Sequence, residues 1–245
     1  MYKNLAKYWN AIARAAITRS VGDYYIDLAR RAESPCHILE LGCGGGLNLQ
    51  RLQKISGVVL TGLDNSSEML RIAARTASHA TLIRGDLRKP LKRLPQLFDF
   101  IFAANDTINH LTSERDLRQF FRVARQQISS SGILAFDLLV PEFFPWYLKN
   151  QANGYLWQLD GDYVHFALER TNAYQFAWRI TIFQKQAKNG LYKRFHDRIP
   201  ERGFSLAMIQ KIAKQEHFKI AKTHQEKEHS NVVRRHRLFI ECKPL

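Results

Sequence analysis

Cys36-His-Ile-Leu-Glu40-Leu-Gly42-Cys43-Gly44-Gly-Gly46-Leu47 decides how this chain is read. An apolar run ends in a turn with four glycines and passes straight into helical spacing from Leu47. Glycine is needed where a chain turns sharply or where bare backbone must lie against a ligand. The helix that follows offers unpaired N–H groups to an anionic group. A glycine-rich turn alone is a weak signal, and a strand before it with a helix after it gives it meaning.

Working outward toward the C-terminus, short apolar runs at 36–41, 58–63, 81–83, 98–103 and 133–138 read as strands, and 66–77 and 114–128 read as helices. Strands alternating with helices predict a parallel sheet covered on both faces, with right-handed crossovers. Asp64, followed by Asn65, closes the second strand about 20 residues beyond Gly42, where a carboxylate accepts hydrogen bonds from ribose hydroxyls. Asp86, followed by Leu87, comes after the third strand and is placed to meet an exocyclic adenine amine. Asn105-Asp106-Thr-Ile-Asn109-His110 follows the fourth strand, at the open sheet end where ligands bind. The bland alternative for each carboxylate is to cap the next helix; three successive strand ends with nucleoside-reading groups make it a poor account of all three.

Dinucleotide folds usually carry G-x-G-x-x-G. Here Gly42-x-Gly44-x-x-Leu47 lacks the third glycine, which disfavours a nicotinamide enzyme. The form Glu40-x-Gly42-x-Gly44-x-Gly46 resembles the first motif of class I S-adenosylmethionine-dependent methyltransferases. Residues 58–70 and Phe98-Asp-Phe-Ile-Phe102 resemble that family's second motif and fourth strand, so the resemblance covers roughly residues 36–140. It implies a Rossmann-like, doubly wound α/β fold with a mostly parallel seven-stranded sheet. It also implies S-adenosyl-L-methionine as cofactor, met by Glu40, Gly42, Cys43, Gly44, Gly46, Asp64, Asn65, Asp86, Leu87 and Asn105. Asn105-Asp-Thr-Ile-Asn-His-Leu111 is similar to a segment of the small-molecule methyltransferases that carry a β-rich cap. Two departures stand out: Ile199 occupies a position where that group has His, and His217-Phe218 stands in place of Gly-Phe. His196, three residues from Ile199, falls on the opposite face of the same strand.

The remaining chain suggests three parts. Residues 1–34 carry helical spacing with a predicted break at Gly22 and form an N-terminal lid, from which Tyr8 and Trp9 close over the cofactor. Residues 35–140 and 203–245 form the core, with a helix after Ser205 as N-cap and final strands at 217–221 and 232–242. Residues 141–202 form an antiparallel β cap, with turns near Gly161, Asn172 and Asn189-Gly190, the last a strong hairpin signal. Catalytic candidates are His110 as base and Asp106 as holder of a cationic amine or positioner of a proton. Asn109, Trp146, Tyr147, Arg194 and His196 are substrate-binding candidates, and the cap aromatics Phe143, Phe144, Trp157, Tyr163 and Trp178 could line an apolar pocket.

The 245 residues carry a net charge of +15 and 45% apolar residues, an ordinary globular composition with a basic surface. Such a surface attracts polyanions and anionic small molecules. Three cysteines without a CxxC pair predict neither a disulfide framework nor a metal site. No apolar stretch reaches the roughly 20 residues that span a bilayer, and the first residues lack a signal-peptide core, so the expected location is cytoplasmic with no membrane partner. The leading expectation is N- or O-methylation of a small molecule, because a capped site excludes a polymer. RNA methylation is the rival favoured by charge, though no RNA-binding module is legible. A cofactor-binding protein without turnover is a third reading, which Ile199 keeps open. Whether the chain is a monomer or a homodimer stays undecided.

Overall fold

Each strand of the main sheet forms where the apolar runs end in turns: β1 (Cys36–Leu41), β2 (Val58–Asp64), β3 (Thr81–Arg84), β4 (Phe98–Ala103) and β5 (Ile128–Leu139). The computed structural model describes residues 2–16, 18–31, 36–89, 97–187, 190–225 and 231–245. Asn189, read above as part of a hairpin turn, lies outside the described residues. The four-stranded cap consists of β6 (Tyr155–Leu159), β7 (Asp162–Arg170), β8 (Gln175–Lys185) and β9 (Tyr192–Arg202). β10 (Phe218–Gln225) and β11 (Arg237–Pro244) close the main sheet.

The seven-stranded sheet has the order β10-β11-β5-β4-β1-β2-β3, and β11 runs antiparallel to both neighbours. The remaining pairings among β1 to β5 are parallel. This is the mostly parallel, doubly wound α/β architecture predicted, with a separate antiparallel sheet inserted. Strand order reverses beside β1, between β4 and β2, where open α/β sheets place their ligands.

The helices are α1 (Ala6–Ala16), α2 (Thr18–Arg30), α3 (Leu47–Leu52), α4 (Ser67–Thr76), α5 (Glu114–Gln127), α6 (Phe143–Asn150), α7 (Leu206–Gln215) and the single turn α8 (Val232–Arg235). Ser66, Ser113 and Ser205 cap α4, α5 and α7 by accepting the N–H groups of Met69, Asp116 and Met208. One apolar cluster fills the side of the sheet under α5 and α7, and a second joins α2 and α3 to β1 and β4. α1 packs differently: Leu5, Tyr8 and Ile12 sit with Val164, Ile180, Ile182 and Ile199 on the inner face of the cap.

Three local expectations need correction. Gly22 does not break the N-terminal helix but lies within α2. A side chain there would run into Arg51 and Asn48, so the glycine permits close packing of α2 on α3. The Phe/Trp-rich stretch after Val140 forms α6; Pro145 sits in its first turn, where a missing N–H is harmless. The last strand starts at Arg237 rather than at 232, because Asn231 Oδ1 accepts the Arg234 N–H and starts a helical turn.

Asn109 ties the core to the cap. Its amide donates to the carbonyls of Leu139 (3.0 Å) and Arg202 (2.8 Å), and its Oδ1 accepts from the Leu139 N–H at 2.8 Å. Asn109→Ala leaves these buried groups unpaired, each costing about 1–3 kcal/mol. Urea denaturation is therefore expected to show a loss of about 2–4 kcal/mol; a change below about 0.5 kcal/mol contradicts this role.

Candidate active site

The glycine turn is shaped by what surrounds it. Gly42 has φ +77°, and a Cβ there would approach Thr107 Cγ2 to 2.6 Å, so both backbone and space demand glycine. The Gly44 N–H donates to Asp64 Oδ2 at 2.9 Å, and the Ser66 N–H donates to Oδ1 at 2.8 Å. Asp64 thus fastens the turn after β1 to the end of β2. Burial raises its carboxyl pKa against the opposing effect of these N–H groups.

These elements enclose a cavity of about 220 Å³ at the C-terminal edge of the parallel strands. Its walls include Glu40, Gly42, Cys43, Gly44, Asp64, Asn65, Asp86, Leu87, Asn105 and His110. The sequence reading and the structure therefore bring the same ten residues together. Gly46 is not on the wall; its positive φ places it at the start of α3, with Ala73 of α4 against it.

Several wall atoms lack partners. Glu40 is 2% exposed; Asn48 donates to its Oε1 at 2.7 Å, and Oε2 has no partner. Desolvation pushes the Glu40 carboxyl up to about 8, the Asn48 hydrogen bond opposing it. Asn105 Oδ1 is likewise buried without a partner. Two unpaired acceptors near the glycine turn call for a donor, because a buried polar atom left unsatisfied is costly. Asp86 differs: Arg88 binds it through Nε to Oδ1 (2.9 Å) and Nη2 to Oδ2 (2.7 Å), which holds its carboxyl below the usual range.

The segment after β4 is held under strain. Asn105 and Asp106 both adopt left-handed backbone, with φ 55° and 53°. Such conformations in non-glycine residues persist only where surrounding structure enforces them. The enforcing group is Asp137, fully buried on β5: its Oδ1 accepts the Asn105 N–H at 2.8 Å and its Oδ2 the Asp106 N–H at 3.0 Å. Tyr25 donates to Asp137 at 2.6 Å, and buried Arg237 bridges Asp137 and Asp106. Asp106 is therefore engaged by Arg237 and is absent from the cavity wall, which corrects its expected contact with substrate.

His110 does reach the cavity. Its Nε2 lies 3.0 Å from the Tyr2 hydroxyl, and its Nδ1 lies 3.7 Å from Glu201 Oε1. Desolvation lowers the imidazole pKa, opposed by the charges of Asp106 and Asp64. Tyr2 also lines the cavity, joined there by Trp9.

Residues 38–132 match the family profile described as a methyltransferase domain. Those residues form a methyltransferase domain. Sequence similarity extends to the dTDP-3-amino-3,6-dideoxy-alpha-D-glucopyranose N,N-dimethyltransferase of Streptomyces fradiae, 27% identical over 138 residues, 56% of this chain and 51% of that protein. The chain is aligned with 41–52% of the length of the curated relatives it matches. The fold match runs over nearly the whole chain. A Clostridium acetobutylicum S-adenosylmethionine-dependent methyltransferase superposes with TM-score 0.75 at 20% identity, covering 99% of this chain and 98% of the other. Streptomyces venezuelae DesVI gives 0.73 at 18% identity, covering 99% of each.

The other expected site residues fall elsewhere. Tyr8 donates to Asp162 Oδ2 at 2.7 Å and packs on the cap; its neighbour Trp9 and the unanticipated Tyr2 face the cavity instead. Asn109 is consumed by its three core–cap hydrogen bonds. Tyr147 is buried with Phe143, Phe144 and Phe176, and Trp146 packs beside His236, so neither borders the cavity. Phe143, Phe144, Trp157, Tyr163 and Trp178 are likewise absent from its wall. Arg194 and His196 are exposed on β9, whereas Phe195, Asp197 and Ile199 face α1 or the segment before it. Ile199 thus belongs to the apolar contact between the antiparallel sheet and α1. Glu201, two positions further along the inner face, is 1% exposed and was not anticipated; only its inward register would have marked it.

Proposed function

We propose that this protein transfers a methyl group from S-adenosyl-L-methionine to nitrogen or oxygen of a small molecule. The observation that carries the reading is the pairing of Asp64 with the glycine turn, beside two unpartnered acceptors, Glu40 Oε2 and Asn105 Oδ1. These match the cofactor's chemistry: Asp64 accepts from a ribose diol, while Glu40 and Asn105 accept from the ammonium of its amino-acid end. When bound, the cofactor supplies an electrophilic methyl group on a sulfonium. The protein's part is to orient the acceptor in line and exclude water, which supplies up to about 7–11 kcal/mol in favourable systems.

A small acceptor is supported by the enclosure. The cavity's 220 Å³ lies below the usual range for ligand pockets, and Tyr2 and Trp9 are among the side chains that line it. The names of the relatives agree, among them a sugar N-methyltransferase from Streptoalloteichus sp. of similar fold, TM-score 0.72 at 13% identity, covering 95% of this chain and 90% of that one. A polymer base would require these side chains to withdraw. None of the described helices is long and apolar enough to cross a membrane.

Calorimetry with S-adenosylhomocysteine tests the reading, with saturable binding of one ligand per chain expected. Glu40 supplies a further signature. With its carboxyl near 8, the free protein holds that proton at pH 7, and an ammonium at Oε2 favours the ionised form. Binding at pH 7 is therefore expected to release most of one proton, measured in buffers of different ionisation enthalpy, with the release fading above pH 8 to 9. Proton uptake, or release that persists in Glu40→Gln, contradicts this assignment.

A further inference from the structure

The antiparallel sheet has two unlike faces. The face toward α1 is apolar, with Val164, Ile180, Ile182 and Ile199 buried. Strand alternation puts the intervening residues on the other face, in cross-strand rows. Tyr163 of β7 stands opposite Phe183 of β8, and Phe183 stands opposite Arg194 of β9. The next row is His165, Thr181 and His196, and the row after it ends in Arg179 and Arg198. Tyr192 lies beside the first row, its ring centroid 5.8 Å from that of Tyr163. Phe183 and Tyr192 are 37% and 43% exposed. The charge on this face is one-sided. Arg179, Lys185, Arg194 and Arg198 are exposed on it. Glu169 is the carboxylate among them, and Arg198 already holds it at 2.8 Å. Among the described residues, Arg179, Lys185 and Arg194 have no acidic partner. Arg179 and Arg198 are direct cross-strand neighbours, and like charges so placed repel. Exposed rings beside unpaired cations mark an interaction surface, whose partner brings negative charge and flat apolar groups.

We infer that this outer face binds single-stranded RNA. Every base has a π-face that can stack on an exposed ring, and the phosphates between bases meet the cations. A four-stranded antiparallel sheet with rings on neighbouring strands is a geometry that holds splayed bases. Thr181 and His196, 3.3 Å apart between the rings and the paired arginines, add polar atoms for a ribose 2′-hydroxyl, a group that DNA lacks. A second copy of the chain fits less well, because a two-fold contact through this face sets the same unpaired arginines against each other. A bilayer fits less well too: Phe183 and Tyr192 are more than half covered, which suits stacking rather than insertion. None of these residues borders the cavity, so RNA held here is not the methyl acceptor. The inference therefore stands apart from the methyl-transfer reading.

Fluorescence anisotropy with a labelled single-stranded RNA of about 12 mixed-sequence nucleotides tests it. Saturable binding is expected, weakening between about 50 and 200 mM salt with a log–log slope of about −2 to −3, as three or four phosphate contacts give. Arg179→Glu combined with Arg194→Glu is expected to lower affinity about 30-fold or more and to flatten that slope. Tyr163→Ala combined with Phe183→Ala is expected to lower it about tenfold or more with the slope kept. Should the paired alanines disturb folding by circular dichroism, Phe183→Leu keeps the bulk without the π-face and is expected to lose about threefold or more. Calorimetry with S-adenosylhomocysteine is expected to be the same for these variants and wild type. The RNA titration needs no cofactor, so its outcome is separate from that of the calorimetry. Absence of RNA binding, or affinity unchanged by Arg179→Glu with Arg194→Glu, overturns the inference. Equal or tighter binding of DNA of the same sequence overturns it as well. So does a dimer in sedimentation that these substitutions dissolve, which gives the face to a second copy, or retention on anionic vesicles in place of RNA.

Discussion

Asp64→Ala is expected to weaken S-adenosylhomocysteine binding by about 100-fold or more while the protein stays folded. Two hydrogen bonds from a ribose diol to one carboxylate, each worth about 1.5–3 kcal/mol when an ionised group takes part, set that scale. A further loss comes from the turn itself, since the Gly44 and Ser66 N–H groups lose their acceptor. Asp64→Asn separates the two contributions. It keeps one acceptor and removes the charge, so its affinity should fall between wild type and alanine. Calorimetry on folded protein reads both; an alanine variant that binds within about threefold of wild type contradicts the ribose assignment.

The largest effect on stability is expected from Asp137→Ala. The substitution strands Arg237, 2% exposed, without its main counter-charge, and leaves the Tyr25 hydroxyl and the N–H groups of Asn105 and Asp106 without acceptors. Breaking one side of a buried pair costs about 3–5 kcal/mol. For a chain of this size that is a fall in Tm on the order of 10 °C or more. The double variant Asp137→Leu with Arg237→Met removes both charges together and should recover part of the stability, because the uncompensated cation is gone. It should not recover cofactor binding, since nothing would then hold Asn105 in its left-handed conformation. Equal thermal stability of wild type and Asp137→Ala would remove the support for this account of the strained turn.

Much of the fold was legible because it follows from local periodicity. β1 and β4 begin and end where the apolar runs do, and Ser205 caps α7 as its position before that helix predicts. The cofactor end of the site was legible for a related reason: its residues sit at fixed offsets from strand ends, where the sheet geometry itself delivers them to one edge. The acceptor end was not. Tyr2 lies far upstream of the glycine turn, and only the packing of α1 on the cap brings it to His110. Glu201 looks from sequence like one more charge in Pro200-Glu-Arg-Gly; its burial depends on β9 pairing with β8 in one register and not the next. Arg194 and His196 were misplaced by the same ambiguity of face. Asp137 lies within β5 and Arg237 at the start of β11, one hundred residues apart in sequence, and the antiparallel pairing of β11 with β5 brings them together.

The account rests on one placement, that of the adenosyl amino acid against the turn after β1. A crystal structure with S-adenosylhomocysteine tests it most directly. The account predicts the ribose hydroxyls on Asp64, the ammonium between Glu40 and Asn105, and the sulfur facing the end of the cavity that holds Tyr2 and His110. Ligand bound outside this cavity, or within it with Asp64 and Glu40 both uncontacted, would contradict it.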